Sequence, residues 1–97
     1  MFRTKTERGF AVVEFEDMYG VSCSIQKSSL ASEDCVWMGL NEVVPKIMAK
    51  ELREDLTGWV NFPSPEEVLL NARMHINKQQ AKEIIEVLQT FVDTGEI

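Results

Sequence analysis

This chain is short of most residues that mark a common catalytic or nucleic-acid-binding protein. It has one histidine and two cysteines in 97 residues, too scattered for a zinc site, whose ligands come in close pairs. Cys23 and Cys35 have no Cys-x-x-Cys spacing. They read as two small buried or half-buried thiols of a reducing compartment, with a disulfide between them left open. Basic residues are in deficit: 10 Lys and Arg against 16 Asp and Glu give a net charge of -6. That balance opposes nonspecific attraction to nucleic-acid phosphates and to anionic membranes. No apolar run approaches the roughly 20 residues of a membrane span. The opening MFRTKTERG lacks the apolar core of a signal peptide, so the expectation is a cytoplasmic protein without metal or cofactor. Gly-rich phosphate loops are also missing, since GVSCS and MGLNE do not have the spacing. The acidic excess reads as a solubilising surface, or as a mimic of nucleic acid toward a basic partner.

What is present is one small domain's worth of alternating apolar pattern. A chain of this length buries about 60–70% of the surface its unfolded form exposes. It folds alone but gains from homo-oligomerisation, and it has little room for a deep catalytic cleft. Residues 1–9 read as a flexible lead-in and 10–97 as a single α+β domain. The segment FAVVEFE, then the turn residues DMYG, then VSCSI predict a β-hairpin with strands at 10–16 and 20–26. On the second strand Val21, Cys23 and Ile25 share one face, leaving Ser22, Ser24 and Gln26 on the other. CVWMGL predicts a third strand at 35–40, with Trp37 as a core or sheet-face anchor.

Pro45 opens a short helix at 45–54, whose apolar stripe Met48, Leu52 and Leu56 is narrow and surrounded by charge. Thr57 and Gly58 end it. In WVNFPSPEE the prolines Pro63 and Pro65 exclude a central strand. Trp59 and Phe62 there read as ties to the core, or as a stacking platform for a base or peptide. A fourth strand is predicted at 67–76. Asn77 and Gln80 form a capping box for a helix at 78–93, with an apolar stripe of Ala81, Ile84, Ile85, Leu88, Phe91 and Val92 and Gly95 as its terminator. The expected architecture is an antiparallel sheet of about four strands with the C-terminal helix packed across one face.

The strand at 67–76 carries the clearest site signal. Val68, Leu70, Ala72, Met74 and Ile76 share one face, while Leu69, Asn71, Arg73 and His75 share the other. Arg73 offers a planar fork of donors suited to phosphate or carboxylate, and His75 offers a ring with both a donor and an acceptor. The plainer reading pairs Arg73 with one of the many carboxylates. If the strands pair as expected, Ser24 and Gln26 face Arg73 and His75 on one open surface, with Ser28 and Ser29 at its edge. A slip of one residue reverses this. Glu33 and Asp34 beside the serine-rich turn read as caps for local backbone donors. Ser28 or Ser29 with His75 is the one nucleophile–base pairing on offer, and no G-x-S-x-G context supports it. The chain therefore reads as a binding protein, not an enzyme.

The segments FEDMYGVSCSIQKSSLASEDCVWMG, PKIMA, TGWV, RMHINKQQ and LQTFVDTGEI, spread over about residues 14–97, resemble a family of small proteins encoded by bacteriophages and prophages. The resemblance carries no catalytic residues. It implies a phage protein in the bacterial cytoplasm, with a surface excursion at 52–57 where similar proteins differ in length. It also suggests a counter-defence role. In one version Ser24, Gln26, Ser28, Ser29, Arg73 and His75 hold a polar or phosphorylated small molecule such as a signalling nucleotide, with oligomer interfaces supplying enclosure. In another the acidic surface docks on a host protein and occludes it. A structural or regulatory phage role is the remaining alternative.

Overall fold

The computed structural model describes residues 1–62 and 65–97. Strand-forming segments pair largely with their sequence neighbours. β1 (Phe2–Lys5), β2 (Ala11–Glu16), β3 (Ser22–Lys27), β4 (Cys35–Leu40) and the later strand Arg73–Asn77 form one five-stranded antiparallel sheet in that order. The β2–β3 turn is built as its composition demands. The Asp17 carboxylate accepts the Tyr19 and Val21 amides at 2.8 and 2.9 Å, and Gly20 takes φ 81°, a conformation open to glycine at little cost.

Between β4 and the last strand lies a separate two-stranded unit. β5 (Lys46–Met48) leads into a 3-10 turn at Ala49–Glu51 and pairs antiparallel with β6 (Trp59–Asn61). The helix expected at 45–54 is therefore not formed. Its apolar stripe has nothing to pack on, and a helix of about ten residues is marginal in water without tertiary support. Pairing Ile47 with Val60 satisfies the same backbone groups, closed by the Ala49 amide on the Gly58 carbonyl at 2.8 Å and the Phe62 amide on the Pro45 carbonyl at 2.9 Å. Trp59 and Phe62 do not tie this unit to the core, because both are exposed. The connection expected through Pro63 lies outside the described residues.

Three further expectations are corrected. The supposed lead-in 1–9 contains β1, whose Phe2 and Thr4 pair with Glu14 and Val12; Thr6 and Gly9 make the turn that returns the chain, with the Gly9 amide on the Thr6 carbonyl at 2.9 Å. The strand expected at 67–76 is the shorter β7 (Arg73–Asn77). Apolar alternation continues back to Val68, but β4 offers partners only from Cys35 opposite Asn77 to Gly39 opposite Arg73, and a strand without a neighbour leaves its backbone groups unpaired.

The last correction concerns the helix. α1 (Lys78–Thr94) forms with the expected capping box and a left-handed Gly95, yet none of its residues is buried. It follows β7 without a loop and packs lightly along that strand rather than across the sheet. The core is correspondingly thin: Val12, Cys23, Cys35, Ala49 and Ile76 are its buried apolar residues among those described. Among the described residues no helix is long and apolar enough to cross a membrane.

Candidate functional site

Strand alternation and the pairing register sort the sheet into two faces. Val13, Phe15, Ile25, Val36, Met38, Met74 and Ile76 fall on one, which is apolar across its middle and carries Arg3, Lys5 and Lys27 at its margins. On the other, Gln26 pairs with Trp37 and Trp37 with His75, making one cross-strand row, and Ser24 pairs with Gly39 and Gly39 with Arg73, making the next. This polar face carries the candidate site.

Gly39 makes the second row possible. It has φ 148°, and a methyl group there would lie 2.5 Å from the Ala72 carbonyl oxygen and 2.9 Å from the Arg73 Cα. With no side chain on β4 at this position, Arg73 crosses the strand and donates from Nη1 to the Gln26 Oε1 on β3 at 3.3 Å. On the way its guanidinium carbon stands 5.5 Å from the centre of the Trp37 ring, within range of a favourable cation–π contact. Among the described residues, no carboxylate lies within ion-pair distance of Arg73, so the reading that pairs it with a carboxylate does not hold among them.

His75 stacks on Trp37, with ring centres 4.0 Å apart and planes 15° from parallel. Its Nε2 is 2.8 Å from the Ser28 hydroxyl, which also accepts the Leu30 amide at 3.1 Å. Two contacts thus fix the imidazole plane, one to a neighbouring ring and one to a buried hydroxyl that is itself held by the backbone of the 28–34 loop. His75 remains exposed on its outer side, because β7 is an edge strand.

Of the six residues singled out from the sequence, Gln26, Ser28, Arg73 and His75 are brought together around Trp37. Ser24 is on the same face but only 3% exposed, so it forms the floor and does not contact solvent. Ser29 points elsewhere: with Thr6, Glu7, Arg8, Phe10 and Gln26 it lines an adjacent open cleft of about 310 Å³. Arg8 sits over the Phe10 ring there, 5.5 Å from its centre. Gln26 thereby touches both the cleft and Arg73. Trp37, Arg8 and Phe10 are the contributors that sequence reasoning missed. Trp37 has the right strand parity, but its place beside His75 depends on pairing β4 with a strand more than thirty positions later. Arg8 lies in the stretch that reads as a lead-in, and Phe10 reads from the sequence only as the start of the first strand.

Asp34 does not cap local amides. It bridges Lys27 at 3.3 Å and Lys78 at 3.0 Å, and these ammonium groups, Lys78 first, hold its carboxyl below the ordinary value. Cys23 and Cys35 are free, buried thiols. They lie on opposite faces of the hairpin, and Cys23 pairs with Leu40, five positions along β4 from Cys35, about 17 Å at strand spacing. No disulfide joins them within this fold. Among the described residues no three His, Cys, Asp or Glu side chains gather as metal ligands. Comparison with protein-family models, with curated proteins and with solved structures found no match.

Proposed function

We propose that this protein is a non-enzymatic binding protein that sequesters a planar, phosphorylated small molecule, such as a signalling nucleotide, on the Gln26–Trp37–Arg73–His75 face. The observation that carries this reading is the state of Arg73. In a chain with 16 carboxylates, its guanidinium is held by a neutral amide and an aromatic ring, which leaves donors free for an anion. His75, stacked on Trp37 and open on its outer side, offers a flat surface to a base. The adjoining cleft with Arg8 and Ser29 extends the polar surface for a second anionic group. A role in blunting bacterial defence during phage infection is the biological setting we assign to this activity.

Catalysis has less support. A serine nucleophile must reach its substrate, whereas Ser28 is 4% exposed and its oxygen already accepts the Leu30 amide. Its bond to His75 serves to orient the ring.

The test is a titration of cyclic dinucleotides and NAD-derived nucleotides against a Trp59→Phe variant, which leaves Trp37 as the one tryptophan. Quenching of Trp37 fluorescence and a raised Tm are expected. Both vanish in Arg73→Ala and persist in Arg53→Ala, whose guanidinium is paired with Asp55 at 2.7 Å far along the chain. The absence of any response across the panel would sink the reading.

A second reading rests on the β5–β6 unit. Trp59 is 66% exposed and Leu52 55% exposed, beside the acidic Glu51, Glu54 and Asp55. An exposed aromatic flanked by charged residues, on a chain whose net charge is -6, suits docking on a basic host protein and occluding it.

A further inference from the structure

The apolar face of the sheet and the apolar stripe of α1 are both uncovered, and neither covers the other. Met74 is 53% exposed on the sheet, and Ile85 is 65% exposed on the helix. The cost of this arrangement is visible in the whole chain. Its accessible surface is 8184 Å², whereas a folded monomer of 11.1 kDa exposes about 5,700 Å². Its radius of gyration is 17.5 Å, against about 12.5 Å for a compact domain of this length. The surplus of about 2,500 Å² is roughly three times what one partner contributes to an interface of standard size.

We infer that a second copy of this chain supplies the missing layer: α1 of each copy lies across the apolar sheet face of the other, around a twofold axis. Three features favour this occupant. The helix has 17 residues and is about 25 Å long, which matches five strands spaced about 4.8 Å apart. α1 leaves β7 with no connecting loop and stays beside that edge strand rather than crossing its own sheet. Each chain carries one uncovered stripe and one uncovered face, so a reciprocal exchange satisfies both and closes at two copies. The central meeting surfaces, Ile85, Leu88 and Phe91 against Val13, Met38 and Met74, are apolar, and the charged residues of that sheet face, Arg3, Lys5 and Lys27, lie at its margins. An open groove of about 360 Å³ where the helix leaves β7, lined by Ile76 and by Gln80, Glu83, Ile84, Val87 and Leu88, stays open to solvent within one copy.

Sedimentation velocity on the full chain at concentrations from about 1 to 100 µM tests the proposal, with twice the 11.1 kDa chain mass expected. Ile85→Glu places a charge on a side chain that is solvated in the isolated chain but buried in the exchanged pair. It is expected to halve the mass, while Glu86→Gln on the polar face leaves it unchanged. A chain that sediments at the single-chain mass throughout overturns the proposal, and so does an Ile85→Glu variant that keeps the doubled mass. Because Ile85→Glu can also fail to fold, a photo-crosslinker in place of Leu88 is read by mass spectrometry in mixtures with an isotopically labelled copy. Crosslinks from Leu88 of one copy to residues 11–16 or 35–40 of the other support the exchange. Helix-to-helix crosslinks, or crosslinks confined to one chain, overturn it.

Discussion

Arg73 on β7 donates a hydrogen bond to Gln26 on β3, although β4 lies between the two strands. The contact spans two inter-strand spacings, about 10 Å, which the long arginine side chain covers only because Gly39 leaves the path empty. The polar face of this sheet is thus organised by the absence of a side chain as much as by the side chains present.

Gly39→Ala should therefore damage both the fold and the site. The added methyl meets the Ala72 carbonyl at 2.5 Å, and φ 148° is unfavourable for any side chain. A loss of about 1–3 kcal/mol is expected from strain of this kind, measured by urea denaturation. A midpoint equal to that of the parent protein would show that β7 can step aside freely.

Ser28 and Ser29 are neighbours in sequence with opposite expected sensitivities. Ser28→Ala removes a buried acceptor from the Leu30 amide and a partner from His75, a loss of about 1–2 kcal/mol. Ser29→Ala, at an exposed position, should leave stability unchanged. The imidazole resonances of His75 should broaden or shift in the first variant and not in the second. Equal behaviour of the two serines would contradict the role assigned to the Ser28 hydroxyl.

The Asp34 bridge predicts a pH effect with a definite sign. Lys78 and Lys27 lower the carboxyl pKa in the folded chain, so the ionised form favours folding. This contribution is present above the unfolded value, near pH 4, and is lost as pH falls through the depressed folded value. Asp34→Asn should have a lower Tm than the parent protein at pH 7 in low salt. The gap should close below about pH 4, and also in high salt at pH 7, because the groups are exposed and screened. A gap independent of pH would assign the effect to packing.

The capping box is the fourth handle. The Asn77 side chain accepts the Gln80 amide at 2.9 Å, and the Gln80 side chain accepts the Asn77 amide at 2.9 Å. Asn77→Ala should remove about 1 kcal/mol of helix stability, read as lower helicity by circular dichroism, with Asn77→Asp retaining most of it. Because α1 has little packing along its own chain, the effect should be larger in Ile85→Glu than in the parent protein.

Legibility in the sequence followed how local the cause was. The β2–β3 hairpin, β4 and α1 each rest on signals within a dozen residues: alternation, the DMYG turn, the Asn77–Gln80 box. All three form where those signals place them. The 45–54 segment shows the limit. Its helix formers and Pro45 act locally, but pairing of Ile47 with Val60 satisfies the backbone where an isolated helix would have no support. The faces of β3 and β7 were also readable, since alternation alone puts Gln26 opposite to Ile25 and Arg73 opposite to Met74.

Their meeting was not readable. Side-chain type and parity are properties of neighbouring residues, and they suffice to mark Gln26, Ser28, Arg73 and His75 as polar-face residues and to write α1 as an amphipathic helix. Distance between them is a property of pairing between β4 and β7, which joins residues far apart in the chain and has no local signature. Register places Trp37 under His75, the empty position of Gly39 lets Arg73 cross, and the direct passage from β7 into α1 carries the apolar stripe off its own sheet. Each of these depends on the relative placement of backbones, where steric fit and hydrogen-bond pairing act across the chain and local propensity has no say.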